Sequence, residues 1–318
     1  MIGRHKHCIA LAEFSREELL QVLDLAVTMK EVLRRPIKKV PSLRGKSIIN
    51  LFFEASTRTR SSFEIAAKIL SADALNWTSS TSSVTKGETL VDTVRNLEAM
   101  RPDVIVIRHP SGGAPQLVAE SVGCAVVSAG DGAHEHPSQG LLDAFTLREK
   151  LGTLEGKVVA IVGDISHSRV ARSDVHCFPK LGAKVRFCGP PTMIPAGAER
   201  LGATVTHDLR EAVDGADAVI MLRIQHERIG DPLIPNTREY SRYWGLNAKK
   251  AAEWLKPSCV ILHPGPINRG VELSPDVADG GRSLILDQVQ NGVAVRMAIL
   301  YLLAGGAAGE GVGGEVRA

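Results

Sequence analysis

Eight short runs of β-branched and apolar residues punctuate this chain, and helical spacings of apolar side chains fill the stretches between them. The runs lie at 47–53, 74–78, 103–108, 125–130, 157–164, 184–190, 218–223 and 260–265. Strands apolar along their whole length are covered on both faces, which is the habit of a parallel sheet flanked by helices. Eight strands exceed the mean sheet of about five or six, so the pattern predicts an α/β chain of two domains, each with a mainly four-stranded parallel sheet. The length of 318 residues agrees, because single cores stop growing near about 250–300 residues. The segment GLLDAFTLREKLG (140–152) reads as a helix that Gly152 ends, between the fourth and fifth runs. The boundary is placed there, giving domains 1–148 and 149–286. Val289, Val293, Met297 and Leu300 repeat at helical spacing and predict a helix at 287–304 that returns to the first domain. The glycine-rich 305–318 has too few large apolar residues to be anchored and is expected to be a flexible tail.

Bulk properties narrow the function classes. A formal net charge of +3, with no long run of like charge, gives no nucleic-acid surface. No apolar stretch approaches the length of a membrane span, and the N-terminus has no long apolar core of a leader, so a cytoplasmic protein is expected. The five cysteines are scattered and form no CxxC pair, which indicates neither a disulfide framework nor a zinc site.

Chemistry-bearing residues collect just past the C-terminal ends of the predicted strands, the edge where open α/β sheets bind ligands. Ser56-Thr57-Arg58-Thr59-Arg60 follows the first run and opens a helix whose apolar stripe is Phe63, Ala66, Ala67 and Leu70. Capping alone would account for Ser56 or Thr57. Two threonines alternating with two arginines exceed what a cap requires, and free amide groups, a helix dipole and a guanidinium converge on an anion site, most naturally for phosphate. Arg58 and Arg60 are about 200° apart around the helix; Arg58 is assigned to the ligand and Arg60 to a structural role. His134-Glu135-His136 could suggest a metal pair, but no further ligand cluster completes it, so no metal or cofactor is expected.

With Ser-Thr-Arg-Thr-Arg at 56–60, His136-Pro137-Ser138-Gln139 after the fourth run and Arg108 at the end of the third, the chain resembles the aspartate/ornithine carbamoyltransferase family over nearly its whole length. The resemblance implies a carbamoyl-phosphate site of Ser56, Thr57, Arg58, Thr59, Ser82, Arg108, His136, Gln139, Gly265 and Pro266. Arg58, Thr59, Arg108 and His136 would be the catalytic members, and Gln139 would bind the carbamoyl amide. It also implies a homotrimer in which Ser82 and Lys86 reach a neighbouring subunit's site, and it leaves a regulatory chain or a dihydroorotase partner open.

Which acceptor takes the carbamoyl group depends on other positions. Lys86, Arg169, Arg223 and Gln225 match the family's aspartate-binding residues, and His263-Pro264-Gly265-Pro266 is the aspartate type of turn, where ornithine enzymes carry His-Cys-Leu-Pro. Electrostatics agrees: two carboxylates suit forked cations, whereas ornithine's distal ammonium would be repelled. Arg172 and Arg228 are expected in structural ion pairs. The implied reaction gives N-carbamoyl-L-aspartate, an early step of de novo pyrimidine (UMP) synthesis. Ornithine carbamoylation is the nearest alternative, and a non-catalytic binder of acidic metabolites is another class. A dinucleotide site at 158–168 is disfavoured, because one glycine stands where the fingerprint has three.

Overall fold

The computed structural model describes residues 1–78, 87–225 and 233–305. The chain opens with α1 (Arg16–Arg34), started by a capping box in which Ser15 and Glu18 satisfy each other's backbone N–H groups. Then come β1 (Ser47–Phe52), α2 (Thr57–Ile69), β2 (Asp73–Thr78), α3 (Leu90–Glu98), β3 (Val104–His109), α4 (Ala114–Ser121), β4 (Ala125–Asp131) and α5 (Pro137–Leu151). The four strands form a wholly parallel sheet in the order β2-β1-β3-β4. Strand alternation divides its side chains between two cores. Ile48, Val104, Val106 and Val127 face one way, and Ile49, Ile105, Ile107 and Val126 face the other, against Val94, Leu97 and Val118 of α3 and α4.

The second half holds β5 (Val158–Val162), α6 (Arg169–Cys177), β6 (Lys184–Cys188), β7 (Thr204–Thr206), α7 (Leu209–Val213), β8 (Ala218–Met221), α8 (Thr237–Tyr243), α9 (Ala248–Trp254), β9 (Val260–Leu262), α10 (Pro275–Ala278) and α11 (Ile285–Gly305). Its sheet is also parallel, in the order β7-β6-β5-β8-β9. Five strands, not four, are therefore present. The additional β7 is an edge strand of sequence Thr-Val-Thr, exposed or half-buried throughout, so it has no apolar run by which to be recognised.

One hydrophobic core crosses between the halves. Leu141, Ala144, Phe145 and Leu147 of α5 belong to the same cluster as Val170, Ala171 and Val175 of α6 and Val159 and Ile161 of β5. Every residue of α5 from Pro137 to Leu147 is buried, as expected of a helix enclosed on all sides. Gly140 permits this closeness: a Cβ there would meet Ser173 Cβ at 3.0 Å and Leu11 Cδ1 at 2.9 Å. The last helix, α11, packs against α1, α2 and α5. Because three helices surround it, its middle is buried on nearly every side from Ala294 to Leu300, whereas Val289 of the expected stripe is exposed. The tail from residue 306 lies outside the described residues. Among the described residues no helix is long and apolar enough to cross a membrane.

Asp174 of α6 is buried at this junction, and among the described residues neither of its carboxylate oxygens has a hydrogen-bond partner. Burial, followed by the nearby Asp143 and Glu135 carboxyls, raises its pKa well above the carboxylate range. A pKa raised on folding contributes stability that is complete below the unfolded value and is lost as pH rises toward the folded one. Asp174→Asn mimics the protonated form and should melt at the wild-type temperature near pH 4. At pH 8 it should melt higher by at least about 2 °C. Thermal scans at the two pH values check this, and a variant that melts lower at pH 8 would refute it.

Candidate active site

Backbone geometry places the Ser-Thr-Arg-Thr-Arg segment at a helix start. β1 ends at Phe52 and the chain turns through Glu54 into α2, with Ser56 at the N-cap position (φ −156°, ψ 88°). The Ser56 side chain makes no capping hydrogen bond, so capping is not its task. Ser56, Thr57, Arg58 and Thr59 therefore occupy the helix start, where amide groups lack intrahelical acceptors and the dipole is positive. Arg58 and Arg60 diverge as helical geometry requires. The Arg58 guanidinium stands against Gly265, whose added Cβ would lie 2.9 Å from Arg58 Cζ, while the Arg60 charge acts on the Glu64 carboxylate.

A file of guanidinium groups runs from this point across the junction between the sheets. Burial lowers the Arg58 pKa, and Arg223 lowers it further. Arg108, at the end of β3, is pulled down to about 10 by burial and then by Arg169, with Glu54 acting in the opposite sense and Arg58 adding to the fall. Glu54 is the hub, its Oε2 accepting from Arg108 Nε at 3.0 Å and from Arg169 Nη2 at 2.6 Å. Arg169 opens α6 and is 3% exposed, with its Nη1 buried and lacking an acceptor among the described residues. Gly130, at φ +113°, makes room for it, since a Cβ there would come within 2.7 Å of Nη1. Arg223 Nη2 donates to Gln225 Oε1 at 3.2 Å just beyond β8. Among the described residues Arg58, Arg108 and Arg169 thus outnumber the Glu54 carboxylate, two of these guanidiniums being largely out of water, and that excess is an electrostatic demand for anions.

His136 caps the other approach, at the start of α5. It is 4% exposed, and its backbone N–H donates to Ser173 Oγ at 2.9 Å. Burial, then the charges of Arg108, Arg296 and Arg169, hold its pKa well below the ordinary imidazole value. The ring is consequently neutral at physiological pH and can donate one N–H without adding charge. Gln139, one turn on, donates Nε2 to Asp143 Oδ1 at 3.0 Å. At the end of β9 the turn 263–266 is held from within. Gly265 N–H donates to His263 Nδ1 at 2.8 Å, which puts the ring proton on Nε2, where Glu272 Oε1 accepts it at 3.2 Å. Gly265 has φ +67°, in the region that favours glycine, and Arg58 fills the space a side chain would take.

The structure therefore brings together Ser56, Thr57, Arg58 and Thr59 at the start of α2, Arg108 at the end of β3, and His136 and Gln139 at the start of α5. Arg169 and Arg223 join them by the charge interactions above, and Gly265 by its contact with Arg58, with Pro266 next to it. Ser82, Lys86 and Arg228 lie outside the described residues. Arg172 is not in the expected ion pair: among the described residues no carboxylate lies within salt-bridge distance of it and its buried Nε has no acceptor. Sequence reasoning missed Glu54, Asp143, Glu272 and Gln288. Asp143 did carry a signal, being a carboxylate inside an otherwise apolar helical run. Among the described residues no group of three or more His, Cys, Asp and Glu is placed to hold a metal ion.

Two family descriptions match the chain in tandem. Residues 6–149 match the carbamoyl-phosphate-binding domain of aspartate/ornithine carbamoyltransferases, and residues 155–303 match their aspartate/ornithine-binding domain. The chain is 87% identical over 310 residues to an aspartate carbamoyltransferase catalytic subunit of Anaeromyxobacter dehalogenans, covering 98% of this chain and 99% of that one. Aspartate transcarbamoylase from Trypanosoma cruzi, solved with carbamoyl aspartate and phosphate, superposes with a TM-score of 0.85 at 30% identity, covering 93% of this chain and 94% of that one. An ornithine carbamoyltransferase from Thermus thermophilus superposes almost as well, with a TM-score of 0.83 at 29% identity and coverage of 94% and 99%. On these matches, and on the geometry they accompany, the chain belongs to the aspartate/ornithine carbamoyltransferase family.

Proposed function

We propose that the chain transfers the carbamoyl group of carbamoyl phosphate to the α-amine of L-aspartate, giving N-carbamoyl-L-aspartate and phosphate, the reaction that feeds pyrimidine synthesis. The observation that carries this reading is the excess, among the described residues, of guanidinium groups over carboxylates where the α2 start, the β3 end and the α6 start meet. Such a site takes polyanions, and both substrates are polyanions.

In this reading Ser56, Thr57, Arg58 and Thr59 hold the phosphate through hydroxyls, amides and one guanidinium. Thr59, Arg108 and His136 point donors at the carbamoyl oxygen. Gln139 and the carbonyls of Gly265 and Pro266 accept from the carbamoyl NH2. Arg169, Arg223 and Gln225 take the carboxylates of aspartate. The neutral amine attacks the carbonyl carbon, its N–C bond forms, and the oxygen gains negative charge against the three donors. The bond from the carbonyl carbon to the phosphate oxygen then breaks, the attacking nitrogen gives its extra proton to the leaving phosphate, and hydrogen phosphate departs toward the α2 start. Preplaced donors aimed at developing charge are commonly worth about 10²–10³ in rate each. A neutral His136 suits this role, because it donates without first losing a proton to the amine.

Residues 1–148 then form the carbamoyl-phosphate domain and 149–286 the aspartate domain, with the helix at 287–304 tying them together. Ser82 and Lys86 complete the site from the neighbouring subunit of a homotrimer in the cytoplasm. A regulatory chain is a natural further partner, since several relatives are named catalytic subunits. Native mass measurement is expected to give three times the chain's mass, or a multiple of that.

Arg223→Ala tests the acceptor side. It should raise the KM for aspartate at least about tenfold, the loss expected of one charged hydrogen bond, and change that for carbamoyl phosphate by less than about threefold. Steady-state kinetics with each substrate varied in turn reads both, and equal changes would remove Arg223 from the aspartate site.

A further inference from the structure

Behind the site lies a buried chain of amides and one carboxylate that none of the roles above uses. His263 N–H donates to Gln288 Oε1 at 2.9 Å, Gln288 Nε2 donates to Asp143 Oδ1 at 2.6 Å, and Gln139 Nε2 donates to the same Oδ1 at 3.0 Å. Asp143 and Gln288 are both buried, at 0% and 3% exposure. Donor and acceptor chemistry forces the direction of every link. A backbone N–H can only donate, so Gln288 must turn its oxygen to His263 and its NH2 to Asp143. Asp143 then accepts, and Gln139 must give it the NH2. The Gln139 oxygen is left facing away from Asp143.

We infer that Asp143 and Gln288 are positioning residues for carbamoyl recognition, a bridge that holds the Gln139 oxygen and the carbonyls of the 263–266 turn at one fixed spacing. The inference rests on the carbamoyl-transfer reading, in which those oxygens accept from the substrate NH2. The bridge spans the two halves of the molecule, since Gln139 and Asp143 belong to α5, the turn follows β9, and Gln288 comes from α11. Two acceptors for one NH2 help only if their separation matches the amide. Held independently, they would drift with the two domains. Held by one carboxylate and one amide, they move as a unit. The Asp143 environment fits a structural acceptor: burial raises its pKa to about 7, the bonds from Gln288 and Gln139 oppose that rise, and Arg296 opposes it too. Asp174 is the other buried carboxyl close to it, and its own elevated pKa keeps it protonated there.

Acetyl phosphate is the discriminating probe, because it has the phosphate and carbonyl of carbamoyl phosphate but a methyl in place of the NH2. Both ligands would be titrated by calorimetry at low temperature into the wild-type protein and three variants. Gln288→Met removes both bonds without adding charge. Gln288→Glu keeps the bond from His263 but sets two carboxyls face to face. The exchange D143N/Q288E restores a donor opposite an acceptor with net charge unchanged: because both bonds now end on Oδ1, the Asn amide turns about χ2 so that its oxygen takes Gln139 and its NH2 donates to the Glu carboxylate, which still accepts from His263.

Each single variant should weaken carbamoyl phosphate by about tenfold or more, the usual effect of an unmet buried hydrogen bond, and acetyl phosphate by less than about threefold. The exchange should return carbamoyl phosphate to within about threefold of wild type. Equal weakening of both ligands, or no recovery in an exchange variant that melts like wild type, would overturn the inference. If Gln288→Glu does not fold, Gln288→Met carries the same comparison. Wild-type protein with no preference for carbamoyl over acetyl phosphate would sink the carbamoyl reading and the bridge with it, whereas a preference that the variants keep would sink the bridge alone.

Discussion

Arg58→Ala is expected to lower kcat about 10²–10³-fold, while the KM for aspartate moves far less. The argument is local. Arg58 projects from the start of α2, is exposed beside Gly265, and has no carboxylate within salt-bridge distance among the described residues. Its pKa is lowered by burial and by Arg223, which means the site tolerates the cation at some cost in free energy. A phosphate arriving there relieves that cost, and a phosphate leaving with an additional negative charge relieves more of it. The effect therefore belongs to the transition state rather than to ground-state binding of the acceptor. Arg58→Lys should recover little, because a point ammonium cannot reproduce two parallel N–H donors. Rates at saturating substrates, with each KM determined separately, decide the matter. A loss confined to the KM for aspartate would place Arg58 elsewhere in the site.

Arg169→Ala should raise the KM for aspartate about 10²-fold or more, the scale for removing one partner of a desolvated charge pair. Arg169 is buried, it is tethered through Nη2 to Glu54, and its Nη1 has no acceptor among the described residues. A guanidinium fixed at one end with its other N–H groups unpaired is preorganised for a carboxylate. Removing it also leaves Arg108 as the guanidinium bonded to Glu54 among the described residues, so Arg108 should be drawn closer to Glu54 and kcat should fall as well. The two effects separate by substrate: kcat/KM for aspartate falls steeply, whereas the affinity for carbamoyl phosphate changes modestly. Titration of carbamoyl phosphate alone, compared with steady-state kinetics in aspartate, distinguishes them. A variant that loses both equally would assign Arg169 to folding rather than to the acceptor.

How much of this was legible in the chain follows from the range of the interactions involved. Strands covered on both faces announce themselves through unbroken apolar runs, and every run of the sequence became a strand. β7 did not, since a three-residue edge strand of Thr-Val-Thr has half its surface in solvent and no core to fill. The helix start at Ser56 to Thr59 was legible because hydroxyl-bearing residues followed by an apolar stripe are a property of consecutive residues. Glu54 was not, because a single glutamate after a strand looks like any solvated one until Arg108 and Arg169, distant in sequence, close on it. The Gln288–Asp143 link joins positions 145 apart, and Gln288 sits in a helix turn that reads as ordinary polar surface. Asp143 and Arg296 differ, as charged residues inside apolar helical runs, a pattern that marks a buried polar partner even when it cannot say which one.

Fold and phosphate site are shared by solved relatives that carry either acceptor's name, so the central claim turns on the second substrate. The most direct measurement is phosphate release from carbamoyl phosphate by the purified protein, with L-aspartate or L-ornithine as the only acceptor. Arg169 and Arg223 predict release that is fast and saturable with aspartate and at background with ornithine. Faster release with ornithine would contradict the account at its foundation.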